Sequence, residues 1–161
     1  MFSKRAPFVH AMETFALDKN AFLIDLSESD KTDFGRVDFA KQSDVQKTFS
    51  AIWELESQVC NGGFDQYFRN SESDMIAYAP KALRAIGASG CAGIVESGIE
   101  VIAPIPNDSD ARCEALDAAG EEAEELLDEL DSKFYAYPDN LSELLFAFVA
   151  KYPNEFGAVP T

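Results

Sequence analysis

The sequence predicts an all-α protein: one compact helical domain over residues 1–161 with about six to seven helices. Apolar residues recur at the 3.6-residue spacing of amphipathic helices along most of the chain. Strands do not alternate with helices, and neither a 20–50-residue repeat nor a low-complexity linker divides the sequence. The 161 residues also suit a single domain. Only residues 21–39 are ambiguous, because Phe22-Leu23-Ile24 is compatible with a minor short strand.

The first clear helix starts at a capping signal. Ser43 and Gln46 have the spacing at which each side chain accepts the free backbone N–H of the other residue. Apolar residues follow at helical spacing as far as Val59. The run Asn61-Gly62-Gly63 is expected to end this helix, because glycine adopts the left-handed conformation of a helix end at little cost.

An aromatic segment follows the two glycines. We expect the glycines to reverse the chain and the aromatic side chains of Phe64, Tyr67 and Phe68 to pack into the core. The amides of this segment would then hydrogen-bond the backbone groups that the turn leaves free, as turn amides do. These amides belong to Asn61, Gln66 and Asn70.

Three further helices are predicted around this segment. Ser73 caps the first of them, Gly87 stops it, and Pro80 either bends it or marks its first turn. A second helix covers residues 90–102, and the prolines after it force a break. The last helix carries its apolar side chains between residues 141 and 152 and stops at a proline.

The segment from Asp108 to Asp131 holds eleven acidic residues and one base, Arg112. With Asn107 or Asp108 as its cap, it is predicted to form one long helix that runs to about Lys133. On a helical wheel its apolar side chains form a single stripe, and the acidic side chains between residues 114 and 131 occupy the other half. The stripe contains Leu116, Ala119, Ala123, Leu126, Leu127, Leu130 and Phe134.

This acidity restricts the possible partners. The whole chain carries a formal charge of -16, of which the segment 108–131 contributes -10. Direct binding to nucleic acid or to an anionic membrane is excluded, because phosphates are bound by Lys and Arg. Along a straight helix of about 36 Å, eleven charges are spaced at about 3.3 Å, close to the ~3.4 Å between phosphates of one DNA strand. On charge alone, a face that only keeps the protein soluble remains the alternative.

The acidic helix also carries an energetic cost. At low salt, two carboxylates three or four residues apart on a helix repel each other by about 0.2–0.5 kcal/mol. The ten such pairs between residues 110 and 131 would together destabilise the helix by roughly 2–5 kcal/mol. A helix that is merely solvated usually mixes charges of both signs and gains from Glu–Lys pairs. The charge pattern therefore favours a function for the acidic side.

The sequence offers no catalytic constellation, and we predict a protein that is not an enzyme and uses no metal or cofactor. Asp108-Ser109-Asp110 begins like a calcium loop, but Arg112 occupies the position of the next ligand. His10 is the only histidine, which leaves di-iron carboxylate sites without their His ligands. Three cysteines without C-x-x-C spacing are expected to be reduced thiols: Cys60, Cys91 and Cys113.

We expect a cytoplasmic protein of bacterial type. The cations Lys4 and Arg5 are not followed by the apolar run of a signal peptide. No stretch approaches the ~20 apolar residues that a membrane span requires.

One pattern between residues 54 and 88 carries a family resemblance. It reads Glu54-x-x-x-Gln58-Val59-x-Asn61-Gly62-Gly63-Phe64-x-Gln66-Tyr67-Phe68-x-Asn70, followed by Ala82-Leu83-x-x-Ile86-Gly87-Ala88. It resembles a family of DNA-mimic proteins first described in Neisseria. The resemblance implies a mainly helical homodimer whose surface carboxylates imitate phosphates. Such a protein would occupy the DNA-binding face of a helix-turn-helix transcription factor and relieve its repression.

The acidic helix and the resemblance together predict a non-enzymatic DNA mimic. Asp30, Asp33, Asp38 and Asp44 would extend its surface only if the fold brings them alongside. Two alternatives remain: an acidic protein-interaction module that binds through its turn aromatics, and an uncharacterised enzyme. The carboxylates expected to contact the partner are Glu114, Asp117, Glu121, Glu122, Glu124, Glu125, Asp128, Glu129 and Asp131.

Overall fold

A computed structural model describes residues 18–160 of the chain. His10, Lys4 and Arg5 lie outside the described residues. Within them the predicted all-α fold is confirmed, with eight α-helices, one short 3-10 helix at Phe39–Lys41 and no strand. In chain order the α-helices are α1 Lys19–Glu28, α2 Asp44–Asn70, α3 Ser73–Ala85, α4 Ser89–Ile102, α5 Ser109–Ala118, α6 Gly120–Tyr135, α7 Leu141–Ala150 and α8 Pro153–Phe156.

The expected short strand at residues 22–24 is wrong, because these residues belong to α1. The carboxylate of Asp18 caps this helix by accepting the backbone N–H of Ala21 at 3.0 Å. Leu23 and Leu26, three residues apart, are both buried, and α1 packs against α7. The apolar side chains here follow the helical spacing, which decides the conformation.

The predicted cap of α2 is confirmed, but only half of the reciprocal pair forms. The hydroxyl of Ser43 accepts the backbone N–H of Gln46 at 3.1 Å. The Gln46 amide turns to the preceding loop, where Nε2 donates to the Lys31 carbonyl at 3.2 Å and Oε1 accepts the Asp33 N–H at 2.9 Å. The glutamine therefore ties this loop to the start of α2.

Helix α2 breaks at Gly62 and Gly63, which we call the glycine break; both residues have non-helical backbone angles. The hydroxyl of Ser71 donates to Glu54 at 2.6 Å, although 17 residues separate the two. Along a straight helix they would be about 25 Å apart. The predicted chain reversal is therefore correct, and a second helical half, residues 64–70, folds back along the first.

The aromatic side chains after the break are buried as predicted, with Phe64, Tyr67 and Phe68 all fully inaccessible. Phe64 meets Phe134 of α6 edge to face, with ring centroids 5.8 Å apart. Since none of the three rings reaches the surface, a module that binds partners through these aromatics is ruled out.

The amides of this segment pair with one another, whereas we expected them to bind freed backbone groups. Gln66 Nε2 donates to Gln58 Oε1 at 2.9 Å, and Asn70 Nδ2 donates to the same oxygen at 3.4 Å. Asn61 Nδ2 donates to Gln66 Oε1 at 3.2 Å. This expectation was wrong because the two helical halves lie close enough for side chains to bridge them.

Helices α3 and α4 form as predicted apart from one cap. Gly87 ends α3 at φ +87°, the left-handed region that favours glycine. Ser73 does not cap α3, since its hydroxyl donates to Asn107 at 3.3 Å. Arg84 and Glu96 form a two-point ion pair, at 2.7 and 2.8 Å, that joins the two helices.

The predicted single helix from residue 108 to about Lys133 is wrong. Asp108 caps α5 by accepting the Ala111 N–H at 3.1 Å, but α5 ends at residue 118, and α6 starts at Gly120, where φ is +82°. A left-handed residue changes the direction of the helix axis, so the single wheel does not extend across it. Leu126, placed in the core stripe by that wheel, is 40% exposed.

Arg112, the only base of the acidic segment, is buried at the start of α5 with 2% of its surface exposed. Its guanidinium donates to the carbonyls of Phe68 at 2.8 Å and Pro106 at 2.9 Å, and also to those of Ser71 and Asn107. The arginine thus fastens α5 to the end of α2 and adds no positive charge to the surface.

Helices α2 and α4 form the centre of the packing. Each contacts α3 and also contacts both α5 and α6. Leu127, Leu130 and Phe134 are the buried side chains through which α6 joins the core. The remaining sides of α5 and α6 face solvent. No helix among residues 18–160 has both the length and the apolarity that would carry it across a bilayer.

Candidate partner-binding surface

Eight of the nine predicted carboxylates are exposed on α5 and α6, and we call this set the acidic face. Two come from α5 and six from the first ten residues of α6. The structure therefore brings them together on two consecutive helices in place of one. The acidic face consists of Glu114, Asp117, Glu121, Glu122, Glu124, Glu125, Asp128 and Glu129.

Most of these carboxylates have no cationic partner. Asp117 accepts from Arg69 Nη2 at 2.8 Å, and Glu129 lies 3.3 Å from Lys133 Nζ. Within residues 18–160 no other member of the acidic face forms an ion pair. Six exposed negative charges are thus left without internal compensation, and their hydration is their main stabilisation.

The acidic face borders a cavity of about 530 Å³ at the joint between α5 and α6. Leu116 and Leu127 contribute apolar surface to it. Arg69 reaches in from α2 and joins two carboxylates, with Nε 2.9 Å from Asp65 and Nη2 2.8 Å from Asp117. The same lining includes three members of the acidic face that have no cation: Glu121, Glu124 and Asp128.

Asp131, the ninth predicted carboxylate, has a different environment. It is half-buried, and its Oδ1 accepts the backbone N–H of Phe64 at 2.7 Å. Burial raises the pKa of Asp131, with smaller contributions from the nearby carboxylates of Asp128 and Asp65, while the hydrogen bond from Phe64 lowers it. This carboxylate contacts α2.

The four aspartates between residues 30 and 44 stand apart from the acidic face. Asp44 is the first residue of α2, whereas α6 hydrogen-bonds α2 at Val59, about 22 Å further along the helix axis. Asp33 is held near the same end of α2 through Gln46. Asp30 and Asp38 belong to the same loop, so the structure does not bring these residues alongside α6.

Sequence reasoning missed Glu56, a half-buried carboxyl in the middle of α2. Its Oε2 is inaccessible and has no hydrogen-bond partner. Burial raises the pKa of Glu56, and the polar hydroxyl of Tyr137 opposes that rise. Nothing local marks this residue, because its burial depends on tertiary packing.

The described residues hold no cluster of three or more metal-ligating side chains that could bind a metal ion. Cys60, Cys91 and Cys113 are all free, as expected. Cys91 is buried, and desolvation raises the pKa of its thiol to about 12. The thiol is therefore protonated and unreactive at neutral pH.

The fold and this surface define a class: an all-helical acidic protein that exposes an uncompensated array of carboxylates. The sequence model of the DMP19-like protein family matches residues 40–152, well over half of the chain, and the chain belongs to that family. The family is one of DNA mimics, which confirms the resemblance carried by residues 54–88. No curated protein and no solved structure matches this chain.

Proposed function

We propose that this protein is a DNA mimic that occupies the DNA-binding face of a helix-turn-helix transcriptional repressor and relieves its repression of genes. The observation that carries the proposal is the acidic face, where six exposed carboxylates have no cation within residues 18–160. Membership of a DNA-mimic family supports it. The function requires neither metal nor cofactor.

The charge spacing on α6 suits this function even though the long helix is broken. Glu121 to Glu129 carries six carboxylates over about 12 Å of helix axis. That is one charge per about 2 Å, against one per ~1.7 Å along a DNA duplex. Helix α6 alone thus offers nearly the axial charge density of a duplex.

The side chains with which the partner binds DNA phosphates also suit the acidic face. Arg and Lys, which contact DNA phosphates, also form charge-assisted hydrogen bonds with carboxylates. Arg69 already illustrates such a contact, since one guanidinium bridges Asp65 and Asp117. Opposite charge accelerates the encounter, so association is fast at low salt and weakens as salt screens the charges.

We infer further that the protein is a homodimer, as the family resemblance implies, and that it acts in the bacterial cytoplasm, where its three free cysteines stay reduced. Helix-turn-helix repressors bind two half-sites with two-fold symmetry. Two copies of the acidic face related by the same symmetry would present two such half-sites. Analytical ultracentrifugation measures the mass directly, and a monomer at micromolar concentration contradicts this inference.

A charge-neutralised variant tests the mimic surface. Glu121, Glu122, Glu124 and Glu125 are replaced by Gln, and the variant competes with operator DNA for a repressor purified by affinity capture. We expect at least a roughly 100-fold loss of competition, since each of several charge-assisted contacts contributes about 1 kcal/mol or more. The helical circular dichroism signal is expected to stay unchanged.

The matched control removes the same net charge elsewhere. Its four substitutions, at exposed positions away from α6, are Asp25→Asn, Glu28→Gln, Asp30→Asn and Asp38→Asn. This control is expected to compete within about threefold of the parent, because long-range attraction alone is largely screened at physiological salt. Equal losses in both variants would show that only net charge matters and that α6 is not the mimic surface.

A further inference from the structure

The glycine break leaves two backbone groups of α2 without their helical partners. In a continuous helix Phe64 N–H would donate to Cys60, and the Val59 carbonyl would accept from Gly63. Here Asp131 Oδ1 accepts the Phe64 N–H at 2.7 Å, and the hydroxyl of Tyr135 donates to the Val59 carbonyl at 2.6 Å. Both edges of the break are therefore completed by side chains of α6.

The two partners are placed for a joint contact. Asp131 and Tyr135 are four residues apart on α6, so they are neighbours on one side of that helix. The approach is close, because a Cβ on Gly63 would clash with the carboxylate of Asp131. Gly63 also has φ +75°, so no other residue fits this position without strain.

We propose that Asp131 and Tyr135 are positioning residues, which lock α6 onto the glycine break of α2 and thereby hold the acidic face in its binding orientation. This inference rests on the proposed function. It gives the glycine-aromatic pattern at residues 59–70 a role that its own side chains do not have, since the Val59 carbonyl and the Phe64 N–H are the two backbone groups to which α6 is fixed.

Hydrogen bonds are suited to this task because they are directional. The other attachment of α6 consists of Leu127, Leu130 and Phe134, whose apolar contacts hold the helix to the core with little angular preference. Two bonds to fixed backbone atoms set both the rotation of α6 about its axis and its position along that axis. The acidic face shares the same helix and turns with it.

Amide hydrogen exchange of the protein alone tests the lock. We expect Asp131→Ala to accelerate exchange of the Phe64 amide about fivefold, the effect of losing one helix cap. Asp131→Asn keeps the acceptor and should exchange like the parent, and Asp128→Ala, the exposed control, should leave Phe64 unchanged. Tyr135→Phe should accelerate exchange of the α6 amides by a smaller factor. An unchanged Phe64 amide in Asp131→Ala overturns the proposal.

Displacement of operator DNA from the captured repressor supplies the functional readout. Asp131→Asn should match the parent in affinity and salt dependence, because the charge of Asp131 does not contact the partner. Asp131→Ala should weaken displacement by about the same fivefold without changing the salt dependence. Asp128→Asn should weaken it and also flatten the salt dependence. If Asp131→Asn behaves like Asp128→Asn, Asp131 is a phosphate mimic and not a positioning residue.

The two readouts separate this inference from the proposed function. If the parent itself fails to displace DNA, the proposed function is wrong, and the exchange data still decide whether the lock exists. If the parent displaces DNA while Asp131→Ala does so equally well and exchanges faster, the lock exists but does not position the surface, and the inference fails alone.

Discussion

The glycine break of α2 and the acidic face of α5 and α6 are both rich in polar side chains, but they use them in opposite ways. Around the break, Gln66 and Asn70 both donate to Gln58, and the aromatic rings are fully buried. On the acidic face most carboxylates have no partner within residues 18–160. Polar groups satisfied within the chain stabilise the fold, whereas unsatisfied charges leave binding energy for a partner.

Truncating Phe64 should cause the largest loss of stability around the glycine break. It is fully buried and lies within 6.2 Å, centroid to centroid, of Tyr67, Phe68 and Phe134. Phe64→Ala should lower the free energy of unfolding by about 3–5 kcal/mol, because it leaves a cavity between α2 and α6. Urea denaturation checks this value, with exposed Leu126→Ala as the control at about 1 kcal/mol or less.

Gly63 tests the backbone of the same region. Gly63→Ala should cost about 1–3 kcal/mol of stability, because φ +75° with ψ −176° is accessible essentially to glycine alone. Gly93 in α4 is the matched control, since a Cβ there meets nothing within 4 Å. Gly93→Ala should raise stability by up to about 1 kcal/mol through helix propensity. Equal effects in both variants, measured by thermal unfolding, would disprove the strain at Gly63.

Removing charge from the acidic face should raise the stability of the fold, whereas the substitutions of Phe64 and Gly63 lower it. Replacing Glu121, Glu122, Glu124 and Glu125 by Gln removes repulsion between carboxylates three and four residues apart, and also some favourable interaction with the start of α6. We expect a net gain of about 1 kcal/mol in unfolding free energy at low salt. The gain should shrink as salt increases. A variant less stable than the parent would mean that these side chains serve the fold.

The smallest effect concerns pH. Burial raises the pKa of Glu56 and of Asp131 in the folded chain. At a pH between the ordinary carboxyl pKa and these raised pKa values, the folded state therefore binds more protons than the unfolded state. Their contribution to stability is therefore complete below about pH 4 and is lost as pH rises through the raised values. Glu56→Gln should flatten this decline in the melting temperature. Exposed Glu100→Gln, which changes the net charge equally, should preserve it.

Local chemistry made part of the structure predictable. The Ser43 cap, the left-handed Gly87 and the buried rings after the glycine break depend on residues adjacent in sequence. Gly120 was missed because an isolated glycine within a helical pattern is often tolerated, so nothing local shows that it adopts φ +82°.

The environments of individual charged residues were not predictable. Asp131 lies 67 residues from the Phe64 N–H it accepts, and Arg112 lies 44 residues from the Phe68 carbonyl. In the sequence alone neither differs from the other members of a charged helix. Only the packing of α5 and α6 on α2 separates them from the exposed carboxylates.

The proposed function requires the acidic face to replace DNA on its partner. The most direct measurement adds this protein to the captured repressor bound to fluorescent operator DNA and follows the anisotropy of the DNA. We expect the anisotropy to fall to that of free DNA, and the concentration of this protein that is required to rise with salt. A stable complex containing repressor, DNA and this protein together would contradict it, because a mimic and DNA cannot occupy one face at once.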